Sequence, residues 1–286
     1  MGNYQQAPSV PYSSAGVGKF VSPDSHPYLV CEKKWKGFSV LDFGLLSHLA
    51  YSEDPYFTQD LKTFFPNCTN CQVIHRYNAT VSFYDFYVPE QNLSIIAVRG
   101  THLFLDVIQD FDIWKEISLL QFASMLGPFL NFWPESMTSR IIQAVSLTEQ
   151  TAVVASSGSR FYYQDLDDYV RIQQKKRNII LTGHSLGGGI ANIVGAHRRI
   201  ETVAFSAPGT IYNRYKLNIE LNDINRYCVN IIPDNDIVPK IDRNGGSIQS
   251  LDCDETFIKC HSISRTVNRL TQSCGSGKLG RYIKDN

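Results

Sequence analysis

The residues best suited to chemistry are Ser185 and the glycines around it, in the run Leu181-Thr182-Gly183-His184-Ser185-Leu186-Gly187-Gly188-Gly189. A serine hydroxyl is a weak nucleophile at neutral pH. It needs a general base within hydrogen-bond reach and a carboxylate to orient that base. In the pattern Gly-x-Ser-x-Gly the serine occupies a turn so sharp that its neighbours need small or absent side chains, and Gly183 and Gly187 supply them. The pattern has meaning only between a strand and a helix. Here, in the stretch Arg177–Gly189, an apolar, β-branched run precedes it and a helix-like segment, Leu186–Arg198, follows. Backbone N–H groups at the start of that helix would face negative charge developing beside the serine. Ser185 is therefore expected to be the nucleophile of an acyl-transfer site.

On an open parallel sheet with such a turn, the acid and then the base follow the serine in the chain. Two histidines do so, His197 and His261. His197 lies in the same helix, roughly 18 Å away at about 1.5 Å per residue, which is too far. His261 is the remaining base. His184 adjoins the serine, but the turn sends neighbouring side chains in different directions, so it is read as packing. His48 is read as a helix-surface or satisfied core histidine. Candidates for the acid include Asp223, Asp234, Asp236, Asp242, Asp252, Asp254 and three glutamates. The favoured place is just past the C-terminal end of a strand. Asp234 and Asp236, beyond Ile231-Ile232-Pro233, both qualify, and position barely separates them. An oxyanion needs two donors, one from the N–H of Leu186 and one from the loop after an earlier central strand. Thr101 is the natural second donor, although Arg99-Gly100-Thr101 reads equally as a plain turn.

The elements that must hold these residues alternate in type. Leu41–Tyr51 has helical spacing, Gln72–Tyr77 and Thr80–Val88 read as strands, and Ser94–Val98 is apolar throughout, as a central strand covered on both faces should be. Leu105–Trp133 is long, apolar and irregular, and reads as one or two buried helices or as a mobile cover over a pocket. Helices are expected at Thr138–Ala155 and Tyr162–Lys176, and strands at Thr202–Phe205 and Arg226–Ile232. Strands alternating with helices argue an α/β fold with a mainly parallel central sheet flanked by helices. With no repeats and no second core, a single domain at 26–275 is expected. It lies between a flexible Ser/Pro/Gly/Gln-rich arm at 1–25 and a short tail at 276–286.

The chain has 286 residues, 43% hydrophobic and 19% charged, with 27 basic and 27 acidic side chains. That balance gives no reason to expect nucleic acid or an anionic membrane as partner. No apolar run is long enough to span a bilayer. Met1–Gln6 lacks the features of a signal peptide, and Gln6 stands where N-myristoylation wants Ser or Thr. A cytoplasmic protein is the default, and a secretory or vacuolar one is expected if the seven cysteines are paired. Cys68–Cys71 and Cys253–Cys260 are candidate bridges. Oligomeric state is not legible.

Three motifs together carry a resemblance: Val98-Arg99-Gly100-Thr101, Leu181-Thr182-Gly183-His184-Ser185-Leu186-Gly187-Gly188, and Asn235-Asp236-Ile237-Val238-Pro239. They resemble the class 3 (fungal-type) lipase family, which has the α/β-hydrolase fold. Cys260-His261-Ser262 also resembles the vacuolar, autophagy-associated lipases. The resemblance implies Ser185 as nucleophile, Asp236 rather than Asp234 as acid, His261 as base, and Thr101 with Leu186 at the oxyanion. It sets Asp110 near a lid hinge, in a structural role. His102 and the lid region depart from the family pattern. The implied activity is hydrolysis of carboxylic esters of lipids, as in a triacylglycerol lipase, with no metal or cofactor. Phospholipase or small-ester esterase activity, or a silent lipid-binding protein, are the rival readings.

Overall fold

The computed structural model describes residues 28–52, 56–66, 68, 70–78, 81–100 and 163–275. The arm at 1–25, Thr101, His102, Asp110, Leu105–Trp133, Thr138–Ala155 and the tail at 276–286 lie outside the described residues. A short hairpin, β1 (Lys34–Trp35) and β2 (Phe38–Ser39), leads into α1 (Val40–Leu49). Ser39 caps α1: its hydroxyl accepts from Asp42 N–H at 3.3 Å, and the Asp42 carboxylate accepts from Ser39 N–H at 2.8 Å. Two of the helix's unsatisfied donors are thereby paired. α2 (Tyr56–Phe64) follows.

Seven strands then form one sheet in chain order, β3 (Gln72–Asn78), β4 (Ser82–Val88), β5 (Leu93–Val98), β6 (Asn178–His184), β7 (Thr202–Phe205), β8 (Cys228–Pro233) and β9 (Ser247–Leu251). The pairs β3–β4 and β4–β5 are antiparallel, and every pair from β5 to β9 is parallel. This is the mainly parallel α/β sheet that the sequence led us to expect, with helices on both faces. All six residues of β5 are buried. Strand geometry sends alternate side chains to opposite faces, and the two cores divide accordingly. Ile95, Ala97, Ile180, Val203 and Phe205 join α1 and the C-terminal helix α7 (Ile263–Cys274) in one core. Ile96, Val98, Ile179 and Leu181 join α3 (Gln164–Gln173) and α4 (Leu186–Arg198) in the other.

One expectation needs correction, and one strand was missed. Arg226 and Tyr227 are not strand but the end of α5 (Leu221–Tyr227), whose Ile224 is buried in the second core; β8 begins at Cys228. β9 was not anticipated. It is an edge strand with only Leu251 buried, so it has no alternation to read.

The loops that cross the C-terminal ends of β7 and β8 are joined by a buried carboxylate. Asp242 accepts hydrogen bonds from Tyr212 N–H at 2.8 Å, Asn213 N–H at 3.2 Å and the Asn213 side-chain amide at 2.8 Å. Burial outweighs these donors and pushes its pKa up to about 6. The folded protein thus holds a proton that the unfolded chain, titrating near pH 4, has released. The contribution is fully present below about pH 4 and is lost as pH rises through about 6. Relative to an Asp242→Asn variant, wild-type stability should decline by up to about 3 kcal/mol across that window. Denaturant titrations at several pH values measure it, and a constant difference would exclude it.

Candidate active site

At the end of β6 the chain turns through Ser185, whose φ of 58° and ψ of −131° are unusual for a residue with a side chain. The turn is held by the β5 end and by α4. A Cβ at Gly187 would come within 2.6 Å of the Arg99 carbonyl carbon, and one at Gly183 within 2.7 Å of the Gly187 carbonyl. Ser185 N–H donates to the Phe205 carbonyl of β7 at 2.9 Å, which ties the turn to the neighbouring strand. Gly100 also presses on the turn: a Cβ there would lie 2.5 Å from the His184 carbonyl oxygen and 3.2 Å from Ser185 Cβ. Leu186 opens α4, so its N–H is one of those a helix leaves without an internal acceptor.

Three side chains from distant parts of the chain meet at this turn. His261 Nε2 lies 2.9 Å from Ser185 Oγ, and His261 Nδ1 lies 3.0 Å from both carboxylate oxygens of Asp236. A carboxylate can only accept, so Nδ1–H donates to Asp236 and Nε2 accepts from the serine hydroxyl. Asp236 is 1% exposed and stands on the loop that leaves β8. Its Oδ1 also accepts from Val238 N–H at 3.0 Å. Asp234, equally favoured by position, is exposed to solvent on the same loop. His261 directly follows α6 (Phe257–Cys260). In this row the serine can lose its proton to the imidazole as it attacks, and the carboxylate fixes the tautomer that allows it.

The other candidates lie elsewhere. His197 hydrogen-bonds Asp167 at 3.0 Å, Asp223 pairs with Arg199, and Asp252 accepts from the Tyr28 hydroxyl at 3.1 Å. Among the described residues no group of three His, Cys, Asp or Glu side chains is arranged to hold a metal ion.

His184 does more than pack. Its Nε2 lies 2.7 Å from the His261 carbonyl and its Nδ1 2.9 Å from the Tyr51 hydroxyl. The carbonyl can only accept, so Nε2 carries the proton and Nδ1 accepts from the phenol. Burial first, and then the neighbouring His261, hold the His184 pKa well below the usual imidazole range. The ring is neutral at physiological pH and serves as a fixed donor to the backbone of His261. Sequence reasoning missed this. The signal available was Tyr51, a hydroxyl-bearing residue just past α1.

Six of the seven cysteines are paired, as Cys31–Cys274, Cys68–Cys71 and Cys253–Cys260. Buried Cys228 keeps a free thiol, whose pKa burial pushes up to about 12. No helix among the described residues is long and apolar enough to cross a membrane.

The tight approach at Gly187 generates a stability test. Gly187→Ala must displace the Val98–Arg99 backbone or the start of α4, and should cost about 3 kcal/mol or more. A denaturation midpoint within experimental error of wild type would show that the elbow has room for a methyl group.

A family model described as Lipase (class 3) matches residues 95–244, just over half of the chain. Over 64 residues the chain is 39% identical to the ATG15 protein of Debaryomyces hansenii, a lipase by name; the match covers 21% of this chain and about a tenth (10%) of that protein's length. Among solved structures, the Lip2 lipase of Yarrowia lipolytica is 18% identical with a TM-score of 0.38, over 72% of this chain and 77% of that one. The lipase of Rhizopus microsporus var. chinensis is 16% identical with a TM-score of 0.39, over 71% and 68%. Structural likeness at that level adds no weight. The family match runs from the central strand β5 through the serine elbow and past the Asp236 loop, and on it the chain belongs to the class 3 lipase family.

Proposed function

We propose that this protein is a serine hydrolase that cleaves carboxylic ester bonds of lipids through an acyl-enzyme intermediate. The observation that carries the reading is the unbroken row Ser185 Oγ, His261 Nε2, His261 Nδ1 and Asp236, at 2.9 and 3.0 Å. Ser185 Oγ attacks the ester carbonyl while His261 takes its proton. His261 returns the proton to the departing alcohol, and water then repeats the sequence on the acyl-serine. Asp236 stabilises the imidazolium that forms in each half. The Leu186 N–H, at the positive end of α4, receives the oxyanion. Thr101, the residue after Gly100, is assigned the second donor on its place in the sequence alone. Family membership supports a lipid ester as substrate. Three disulfides support an oxidising compartment, secretory or vacuolar, over the cytoplasm. We read residues 26–275 as one domain, which the continuous seven-stranded sheet and the Cys31–Cys274 bridge support.

The first test is labelling with a fluorophosphonate probe, which should modify Ser185 alone. Ser185→Ala should lower kcat by about six orders of magnitude on a soluble ester. Retained activity in that variant would sink the assignment.

The two aspartates provide a second test. Asp236→Asn should cost roughly 10⁴-fold in kcat, because an amide no longer selects the required imidazole tautomer. Asp234→Asn should stay within about twofold, as expected of an exposed side chain outside the row. Equal losses would mean that the acid is misassigned.

A further inference from the structure

The geometry points to Asn235 as a positioning residue that, acting through the Cys253–Cys260 disulfide, fixes the span between Asp236 and His261. This rests on the catalytic roles proposed above. The two residues approach from different loops: α7, with Ile263 buried, and the His184 hydrogen bond hold His261 from its C-terminal side, but the segment that leads into it has little apolar burial. α6 has a single buried residue, Cys260, while Phe257 is 38% and Ile258 62% exposed. A four-residue helix so exposed cannot be seated by its own packing. Its buried attachment is the bond from Cys260 to Cys253, two residues that are 1% and 3% exposed. At the surface, Glu255 adds ion pairs to Arg265 at 2.8 Å and Lys259 at 3.4 Å, which are screened by solvent.

Cys253 is in turn joined to the acid loop. The β8–β9 ladder ends at the pair Pro233 and Leu251, and Asp234 N–H donates to the Leu251 carbonyl at 2.8 Å. The Asn235 side chain then supplies one further rung, its Nδ2 donating to the Cys253 carbonyl at 2.9 Å. Asn235 takes a φ of 62°, a left-handed conformation that asparagine tolerates better than most residues. The amide stands in for a backbone donor that the turn has carried away. The path is continuous: Asp236, its neighbour Asn235, the Cys253 carbonyl, the disulfide, Cys260 and its neighbour His261. It is independent of the hydrogen bonds of the catalytic row.

Because the links are in series, breaking either one opens this path, while the Asp234 rung, the His184 bond and α7 keep their own holds on the two loops. The test uses the full chain, a soluble short-chain p-nitrophenyl ester, and kcat expressed per site labelled by a fluorophosphonate. Asn235→Gly keeps the left-handed backbone and deletes only the amide. We expect kcat to fall roughly tenfold to a hundredfold, the scale of a displacement of about 1 Å, with KM within about twofold. The pair Cys253→Ala/Cys260→Ala should show the same split, and the triple variant should lose no more than the worse of the two. Cys31→Ala/Cys274→Ala is the control: it should lower Tm while leaving kcat per labelled site unchanged. Wild-type kcat in Asn235→Gly overturns the proposal, and that variant decides the matter if the cysteine pair does not fold. Multiplying losses in the triple variant, or an equal kcat loss in the control, overturn it as well. Full activity in Ser185→Ala would instead overturn the catalytic reading, and this proposal with it.

Discussion

The close approach of three backbones at the serine turn is the constraint on which the rest depends. The end of β5, the turn itself and the first residues of α4 sit so near one another that Gly183, Gly187 and Gly100 have no space for a Cβ. An outlying φ of the Ser185 kind costs on the order of 1–3 kcal/mol and persists only where the surroundings over-determine it. Here the Phe205 carbonyl, the β5 end and the buried N-terminal residues of α4 do so. Sheet order follows from the same requirement. β6 must be central, with β5 on one side and β7 on the other, for both neighbours to reach the turn.

The polar groups around the turn are arranged so that each has a defined direction. Asp236 accepts from His261, His261 accepts from Ser185, and the His261 carbonyl accepts from His184, which accepts from Tyr51. Two imidazoles, 4.8 Å between centroids, could repel if both were charged. Burial keeps His184 neutral, so only the ring beside Asp236 is left to take up a proton. The two histidines look alike in sequence. Their environments give one a proton-transfer geometry and the other a purely orienting one.

Much of this was legible from residue types and spacing. The apolar run of β5, the bounds of α4 and β7, and the elimination of His197 follow from periodicity and helix length alone. Asp236 could not be separated from Asp234 by position, because a turn through left-handed Asn235 decides which of the two points inward. β9 was hidden because an exposed edge strand has no alternation. α7 was legible and overlooked: Ile263, Val267 and Leu270 have helical spacing and all three are buried. The Cys31–Cys274 pairing was beyond reach, since contacts between distant positions leave no local pattern.

That last pairing has a consequence of its own. It closes a loop across a sequence separation of 243, and by the chain-entropy account a closure of that size restricts the denatured ensemble by about 5 kcal/mol. It also turns most of the chain into a covalent ring. A protease that cuts once between the two cysteines opens the ring without dividing the molecule. Such a nicked protein would keep its mass until the bridge is reduced, so intact size is no measure of an intact backbone.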